Sequence, residues 1–238
     1  MGTKVDLTIE MLEQAGKQLG KLCKKTGGHT STQAVNLLDD IEVAGIRLVR
    51  SPSTDVFTSH SVLNAKNEVV GSVRLSIAPD EIQSLCTPAG SYPANWFDEA
   101  GTLKPFLEIE QMNTLGHQGE GYGRKIIQAI HNLSKRLGFE GRVSAESAEY
   151  AKTFYSKCGF DIPPSIKQHY DELYESCLKI AKEQNLSESE LQALLKSKGV
   201  PEIINGKYNV ANQRLFNPTE ENIQLLFPNG LNVQAKEI

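Results

Sequence analysis

Met11, Leu12, Ala15, Leu19, Leu22 and Cys23 recur at helical spacing, which predicts an amphipathic helix over residues 8–25 that stops at Gly27 and Gly28. Lys17, Lys21, Lys24 and Lys25 make its polar face. Farther along, Val69, Gly71, Val73, Leu75 and Ile77 alternate with Val70, Ser72, Arg74 and Ser76, the period of a half-buried strand. A strand over 54–63 precedes it, and the polar turn at 65–68 predicts that the two form a hairpin. Residues 79–101 hold three prolines, two glycines and the single tryptophan, Trp96, and read as a long irregular loop of the kind that borders a substrate mouth.

The pattern then predicts a strand at 106–114, a helix at 121–137, a strand at 142–146 and a helix at 148–157. Ile126, Ile127, Ile130, Leu133 and Leu137 share one face of the first of these helices, as a helix packed on a sheet requires. This order implies an α/β layer architecture with at least one parallel strand pair. Beyond Pro163 and Pro164 the chain turns charged and helix-forming. A helix is expected at 170–184, and Ser187 with Glu190 spells a capping box for another that ends near Lys198 and Gly199. Strands are expected at 210–216 and 223–227, separated by a turn at Asn217 and Pro218. The 238 residues thus divide as one domain with an N-terminal helical region (1–40), a core (41–162), a helical insertion (163–200) and C-terminal strands that complete the domain (201–238).

Hydrophobic residues make up 39% of the chain and charged residues 23%, enough apolar surface for an ordinary core. The net charge of −4 gives no long-range attraction for nucleic-acid phosphates or anionic lipid, but it tolerates cationic amines. Cys23, Cys86, Cys158 and Cys177 never form a C-x-x-C pair, so neither a disulfide framework nor a zinc site is expected. The N-terminus lacks the basic and apolar regions of a secretory signal, no apolar run matches a membrane span, and Asp6 does not fit a myristoylation signal. A cytoplasmic location is the expectation, with secretion as an effector left open.

The segment Gln118-Gly119-Glu120-Gly121-Tyr122-Gly123-Arg124 follows a strand and opens a helix, so its backbone N–H groups and the positive end of the helix dipole converge on a point suited to an anion. Glycines let the backbone approach a pyrophosphate, and Arg124 is positioned to add a fixed charge. Ile126 spoils the third glycine of a dinucleotide fingerprint, and no G-x-x-x-x-G-K-[ST] occurs. What remains, Q-x-x-G-x-G, resembles the acyl-CoA loop of the GNAT superfamily of N-acetyltransferases. Some thirty residues on, Ala151-Lys152-Thr153-Phe154-Tyr155-Ser156-Lys157-Cys158-Gly159-Phe160 is similar to that superfamily's A-x-x-F-Y-x-x-x-G-F helix and turn.

The resemblance spans 106–160 and extends to the 69–77 strand. It implies a GNAT-like mixed α+β fold: a mostly antiparallel sheet with a splayed parallel pair, here 106–114 and 142–146, flanked by helices. It also implies acetyl-CoA as cosubstrate, held by residues 118–124, and a primary amine that enters from the opposite side. Tyr155 would protonate the departing sulfur, a backbone N–H of the splayed strand near Met112 or Asn113 would face the oxyanion, and Met112, Asn113 and Thr114 would join the loop in binding the cosubstrate. Alternation puts Glu108 and Glu110 on one face and Leu107 and Ile109 on the other, so either carboxylate can serve as base, Glu110 lying nearer the expected acetyl group. Glu146 and Glu149 stand in reserve, and some relatives use no dedicated base.

Two departures accompany the resemblance. Ala148 stands where the superfamily commonly has asparagine, with Ser147 as a possible substitute, and the chain between Phe160 and the last expected strand is much longer than the usual return. A module that binds acyl-CoA or a protein partner without turnover is therefore the alternative. The five histidines show no metal-ligand spacing, there is no G-x-S-x-G elbow, and Cys158 is a poor candidate for a nucleophile. The acceptor, a small amine or a protein lysine or N-terminus, stays open, as does monomer against homodimer.

Overall fold

In this computed structural model the structure describes residues 41–43, 45–51, 58–80, 87–88, 90–115 and 119–230. The helix expected at 8–25 lies outside them, as do Gln118, His29, His117, Cys23 and Cys86. Seven strands form one sheet: β1 (Ile41–Val43), β2 (Ile46–Arg50), β3 (Thr58–Asn64), β4 (Val69–Ala78), β5 (Phe106–Asn113), β6 (Val143–Glu146) and β9 (Gln213–Phe216). They lie in that order, and every neighbour pair is antiparallel except β5 with β6. The architecture is a mixed α/β sandwich of sheet and helices.

The single parallel pair needs a crossover, supplied by α1 (Tyr122–Arg136). Its Ile126, Ile127, Ile130 and Leu133 pack with Val73, Leu75, Leu107, Ile109, Val143 and Ala145 in the main core. The opposite face of the sheet is covered at one end by the 90–106 segment, where Trp96 is fully buried against Tyr92 and Phe106 at ring distances of 5.5 and 5.1 Å. The irregular loop expected there is thus the lid of a second core that includes Ala78, Leu103 and Leu215.

The β3–β4 hairpin forms across the 65–68 turn, but the alternation slips at its start. Leu63 faces Val69 and Val62 faces Gly71, so Val70 is an extra residue; it is buried, while Val69 is 52% exposed. After β6 a short 3-10 turn (Glu149–Ala151) leads into α2 (Lys152–Lys157).

Helix α3 (Pro164–Gln184) begins six residues before the expected 170, because Pro164 occupies the first helical turn, where its missing N–H costs nothing. Helix α4 (Glu188–Ser197) opens on the expected capping box: Ser187 accepts from the Glu190 N–H while the Glu190 carboxylate accepts from the Ser187 N–H. These two helices share a small core of Ile162, Cys177, Leu195, Val200 and Tyr208. A hairpin of β7 (Ile203–Ile204) and β8 (Lys207–Tyr208) turns at Asn205 and Gly206, both at positive φ.

The strand expected at 223–227 is instead a helix, α5 (Glu220–Leu226). Thr219 caps it by accepting from the Asn222 N–H, acidic residues occupy its first turn, and Ile223, Leu226 and Phe227 stand at helical rather than alternating spacing. The C-terminal part therefore completes the domain with one sheet strand, β9, which is shorter than the expected 210–216, and one helix.

Candidate active site

Strands β5 and β6 pair only through Leu107–Val143, Glu108–Ser144 and Ile109–Ala145. Strand β5 continues to Asn113 against β4 alone, while β6 ends at Glu146, so the parallel pair parts after Ile109. At the same point β5 carries an extra residue: Leu75 faces Ile109 and Arg74 faces Gln111, which leaves Glu110 in a bulge. The Leu107 N–H points toward the β6 side, donating to the Arg142 carbonyl at 3.3 Å, so Leu107 and its partner Ile77 turn their polar groups away from one another. Along β4 that orientation recurs at Leu75 and Val73. Val73 faces Met112, so the bulge directs the Met112 N–H into the open side of the fork. Without the extra residue, Gln111 would stand there.

The face of the sheet away from α1 is acidic at this fork. Ser76, Glu108 and Ser144 lie side by side on three strands, with Glu146 two residues beyond Ser144 and Gln213 paired to Glu146. Ser76 Oγ donates to Glu110 Oε1 at 2.6 Å, and Gln213 Nε2 donates to the Tyr92 hydroxyl at 2.9 Å. Glu108 is half-buried, and its pKa is raised first by that burial and then by the charges of Glu110 and Glu146. Both expected carboxylates therefore share the expected face, but Glu108 has the environment of a base and Glu110 that of a hydrogen-bonded, exposed acid. Glu149 is elsewhere in function: it pairs with Lys152 on the surface. Tyr92, Gln213, Ser76 and Ser144 were not expected at the site; the strand alternation carries the signal for Ser76 and Ser144, whereas nothing local marks Tyr92.

On the α1 face, Tyr155 is buried in the same core as Ile109 and Ala145, edge-on to Phe154 and Phe160 at 5.2 and 5.1 Å. Its hydroxyl has no hydrogen-bond partner among the described residues, and burial pushes its pKa up to about 12. The sheet thus has a phenol on its helix-covered face and a group of carboxylates on the other.

Helix α1 starts from this fork after the 114–121 connection. Gly121 is its N-cap, at φ +79° and without a side chain to offer, and the first intrahelical bond is from Lys125 N–H to the Gly121 carbonyl at 3.2 Å. Gly119 is also left-handed, and open space lies where either residue's side chain would stand. The N–H groups of the first turn, including those of Gly123 and Arg124, therefore have no intrahelical acceptor. Exposed Glu120 flanks this turn, and Tyr122 at the start of the helix carries Lys125 Nζ over its ring at 5.3 Å. Asn113 and Thr114 close the strand, with Asn113 Oδ1 accepting from the Leu115 N–H. A side chain at Gly123 would come within 3.1 Å of the Phe154 ring, so the glycine loop and the Phe154-Tyr155 helix abut directly.

Arg124 departs from expectation. Its guanidinium donates to the carbonyls of Leu225, Leu226 and Lys157, the last turns of α5 and α2, and Gln128 Nε2 adds a bond to Leu226 at 2.9 Å. It locks helix ends together instead of offering charge to an anion. Ser147 is likewise engaged, its hydroxyl bonded to the Asn212 backbone and to Arg214, so it does not stand in for the asparagine missing at Ala148. Cys158 is fully buried with its thiol pushed up to about 11, which removes it as a nucleophile. Among the described residues no set of His, Cys, Asp or Glu side chains could hold a metal ion, and no helix is long and apolar enough to cross a membrane. No protein-family model matches the chain, and no curated protein matches it in sequence.

Proposed function

We propose that the chain is an N-acetyltransferase of the GNAT superfamily, moving an acetyl group from acetyl-CoA to a primary amine by direct attack. The observation that carries this reading is the opening of the single parallel strand pair at the Glu110 bulge, with Tyr155 on one face and Glu108, Glu110 and Glu146 on the other. The turn at Gly119 to Gly123 fits a pyrophosphate: the N–H groups of Gly123 and Arg124 have no intrahelical acceptor, and among the described residues nothing lies within 4 Å of where a side chain at Gly119 or Gly121 would stand. The cosubstrate supplies an activated thioester; the chain supplies the rest.

Glu108 takes a proton from the incoming ammonium, directly or through water, and its raised pKa brings it toward the range where a base works best. The freed amine attacks the thioester carbonyl, whose oxygen accepts from the Met112 N–H as charge develops. The carbon–sulfur bond then breaks, and the amide and a thiol leave. With its pKa near 12, Tyr155 holds its proton far more firmly than a thiol of pKa about 8.5, so it stabilises the departing sulfur by a hydrogen bond rather than by giving up the proton outright. The nitrogen gives up two protons in all: Glu108 takes the first before attack and passes it to water, and the second, lost as the tetrahedral intermediate collapses to the amide, ends on the thiolate.

A second reading, acyl-CoA retained without turnover, is favoured by Ala148 and the engaged hydroxyl of Ser147. Calorimetric titration with acetyl-CoA, repeated on Gly121→Glu, tests the shared cradle. Micromolar binding to the native protein that the variant loses while keeping its melting temperature supports both readings; turnover with an amine then selects the enzyme. No binding to the native protein up to millimolar acetyl-CoA overturns both.

A further inference from the structure

The acidic face of the fork carries more charge than a single amine can neutralise. Glu108 interacts electrostatically with both Glu110 and Glu146, and among the described residues none of the three has an ion-pair partner. Arg74 rises from the same face of β4 at the level of Gln111, which leaves the group with a surplus of negative charge. Beneath it lies a second, independent feature. Ser144 is 0% exposed and its hydroxyl has no hydrogen-bond partner among the described residues, although its side chain stands next to Glu108 on the neighbouring strand and two residues from Glu146 on its own. A buried hydroxyl left unsatisfied costs free energy that a bound polar group removes.

The form of the missing cation follows from spacing. Among the described residues no three of these groups approach closely enough to share a metal ion. Strand geometry sets the Cα atoms of Glu108 and Glu146 roughly 8 Å apart, one strand across and two residues along. Two separated positive charges fit this arrangement, and one compact charge does not. Tyr92 and Gln213 close the far side beside Glu146 with a hydroxyl and an amide rather than an apolar wall, which suits a second ammonium over an alkyl tail.

We infer that the acceptor is a linear di- or polyamine: one amino group is placed at Glu108 for attack, and a second ammonium is held by Glu146 and Glu110 above Ser144. This deepens the acetyltransferase reading and rests on it. Chemistry at the reacting amine is unchanged; the second charge lowers the free energy of both bound substrate and transition state, so the preference appears in kcat/KM.

Thiol release from acetyl-CoA, measured with 1,4-diaminobutane against butylamine, tests this with two amines of the same chain length. We expect kcat/KM to favour the diamine by about tenfold, since two exposed carboxylates, Glu110 and Glu146, act on the second charge. In Glu146→Gln, whose fold is checked by its melting temperature, the ratio falls toward one; Glu110→Gln lowers it in the same direction. Equal use of the two amines by the native protein, or a ratio that survives Glu146→Gln, overturns the inference while leaving the acetyltransferase reading intact. If no amine releases thiol, that reading fails, and calorimetry with each amine alone decides the inference. Diamine binding that exceeds butylamine binding and is lost in Glu146→Gln supports it, and equal or absent binding overturns it.

Discussion

Tyr155 shows how much of this chemistry rests on one atom. Its ring is held by Phe154 and Phe160 in the core, so the packing would survive without the hydroxyl, and the hydroxyl has no partner among the described residues. A donor without a protein partner contributes nothing to the resting protein and is available to a group that becomes charged beside it. In Tyr155→Phe we expect kcat to fall by about 10²-fold or more while acetyl-CoA affinity and melting temperature hold, because only the transition state uses the bond. Steady-state kinetics beside calorimetry check this. An undiminished kcat would reduce Tyr155 to a packing residue, and a protein with no rate at all would return the chain to the binding-module reading. The helix that carries Tyr155 was legible from the A-x-x-F-Y spelling, and the shared face of Glu108 and Glu110 from alternation. The bulge also left a trace: Leu107, Ile109 and then Met112 are the residues of β5 that pack in the main core, a step of two followed by a step of three.

Elements with their own period were legible and those that depend on distant partners were not. Strands β4 and β5, helix α1 and the capping box of α4 appear within a residue or two of the expected bounds, since each carries its pattern locally. Helix α5 was missed because a seven-residue element shows apolar residues for barely two turns, too few to separate a spacing of three and four from alternation. The β7–β8 hairpin has only two residues on each side of Asn205 and Gly206, so its turn lacks flanking strands to advertise it. Arg124 is the plainest case. Its glycine-rich surroundings suggest a phosphate, yet its acceptors at Leu225 and Leu226 lie about a hundred residues away in a segment expected to be a strand. Those carbonyls end a helix and have no intrahelical partners, so the guanidinium is their cap. We expect Arg124→Ala to lower stability by about 1.5–3 kcal/mol, the range for hydrogen bonds to a charged group, and to leave acetyl-CoA affinity in place. Chemical denaturation and calorimetry separate the two effects. A large loss of affinity without loss of stability would restore Arg124 to the phosphate site.

At the scale of the whole molecule the sheet divides a helix-covered side from a side that is acidic at the fork, and a group on each links folding to pH between 7 and 5, the two with opposite sign. On the helical side His131 of α1 is 1% exposed, edge-on to Phe216 of β9 and to Phe227 just after α5. Burial lowers its pKa from 6.5 to about 4. The unfolded chain therefore binds a proton between these values that the folded chain refuses, so His131 contributes full stability above pH 6.5 and loses it as pH falls toward 4. Between pH 7 and pH 5 the loss amounts to about 2 kcal/mol. Glu108 acts the other way, because its raised pKa makes the folded protein the better proton binder just above the ordinary carboxylate range. The two are separated by substitution. Urea unfolding of the native protein should give a lower stability at pH 5 than at pH 7. His131→Leu, which keeps a buried apolar side chain in contact with the two phenylalanines, should flatten that dependence by about 2 kcal/mol, whatever its effect at pH 7. Glu108→Gln should instead steepen it, since the opposing carboxylate is gone. A His131→Leu protein as sensitive to pH as the native one would mean that the folded core accepts the imidazolium, and that the acidification of this fold is governed by its carboxylates alone.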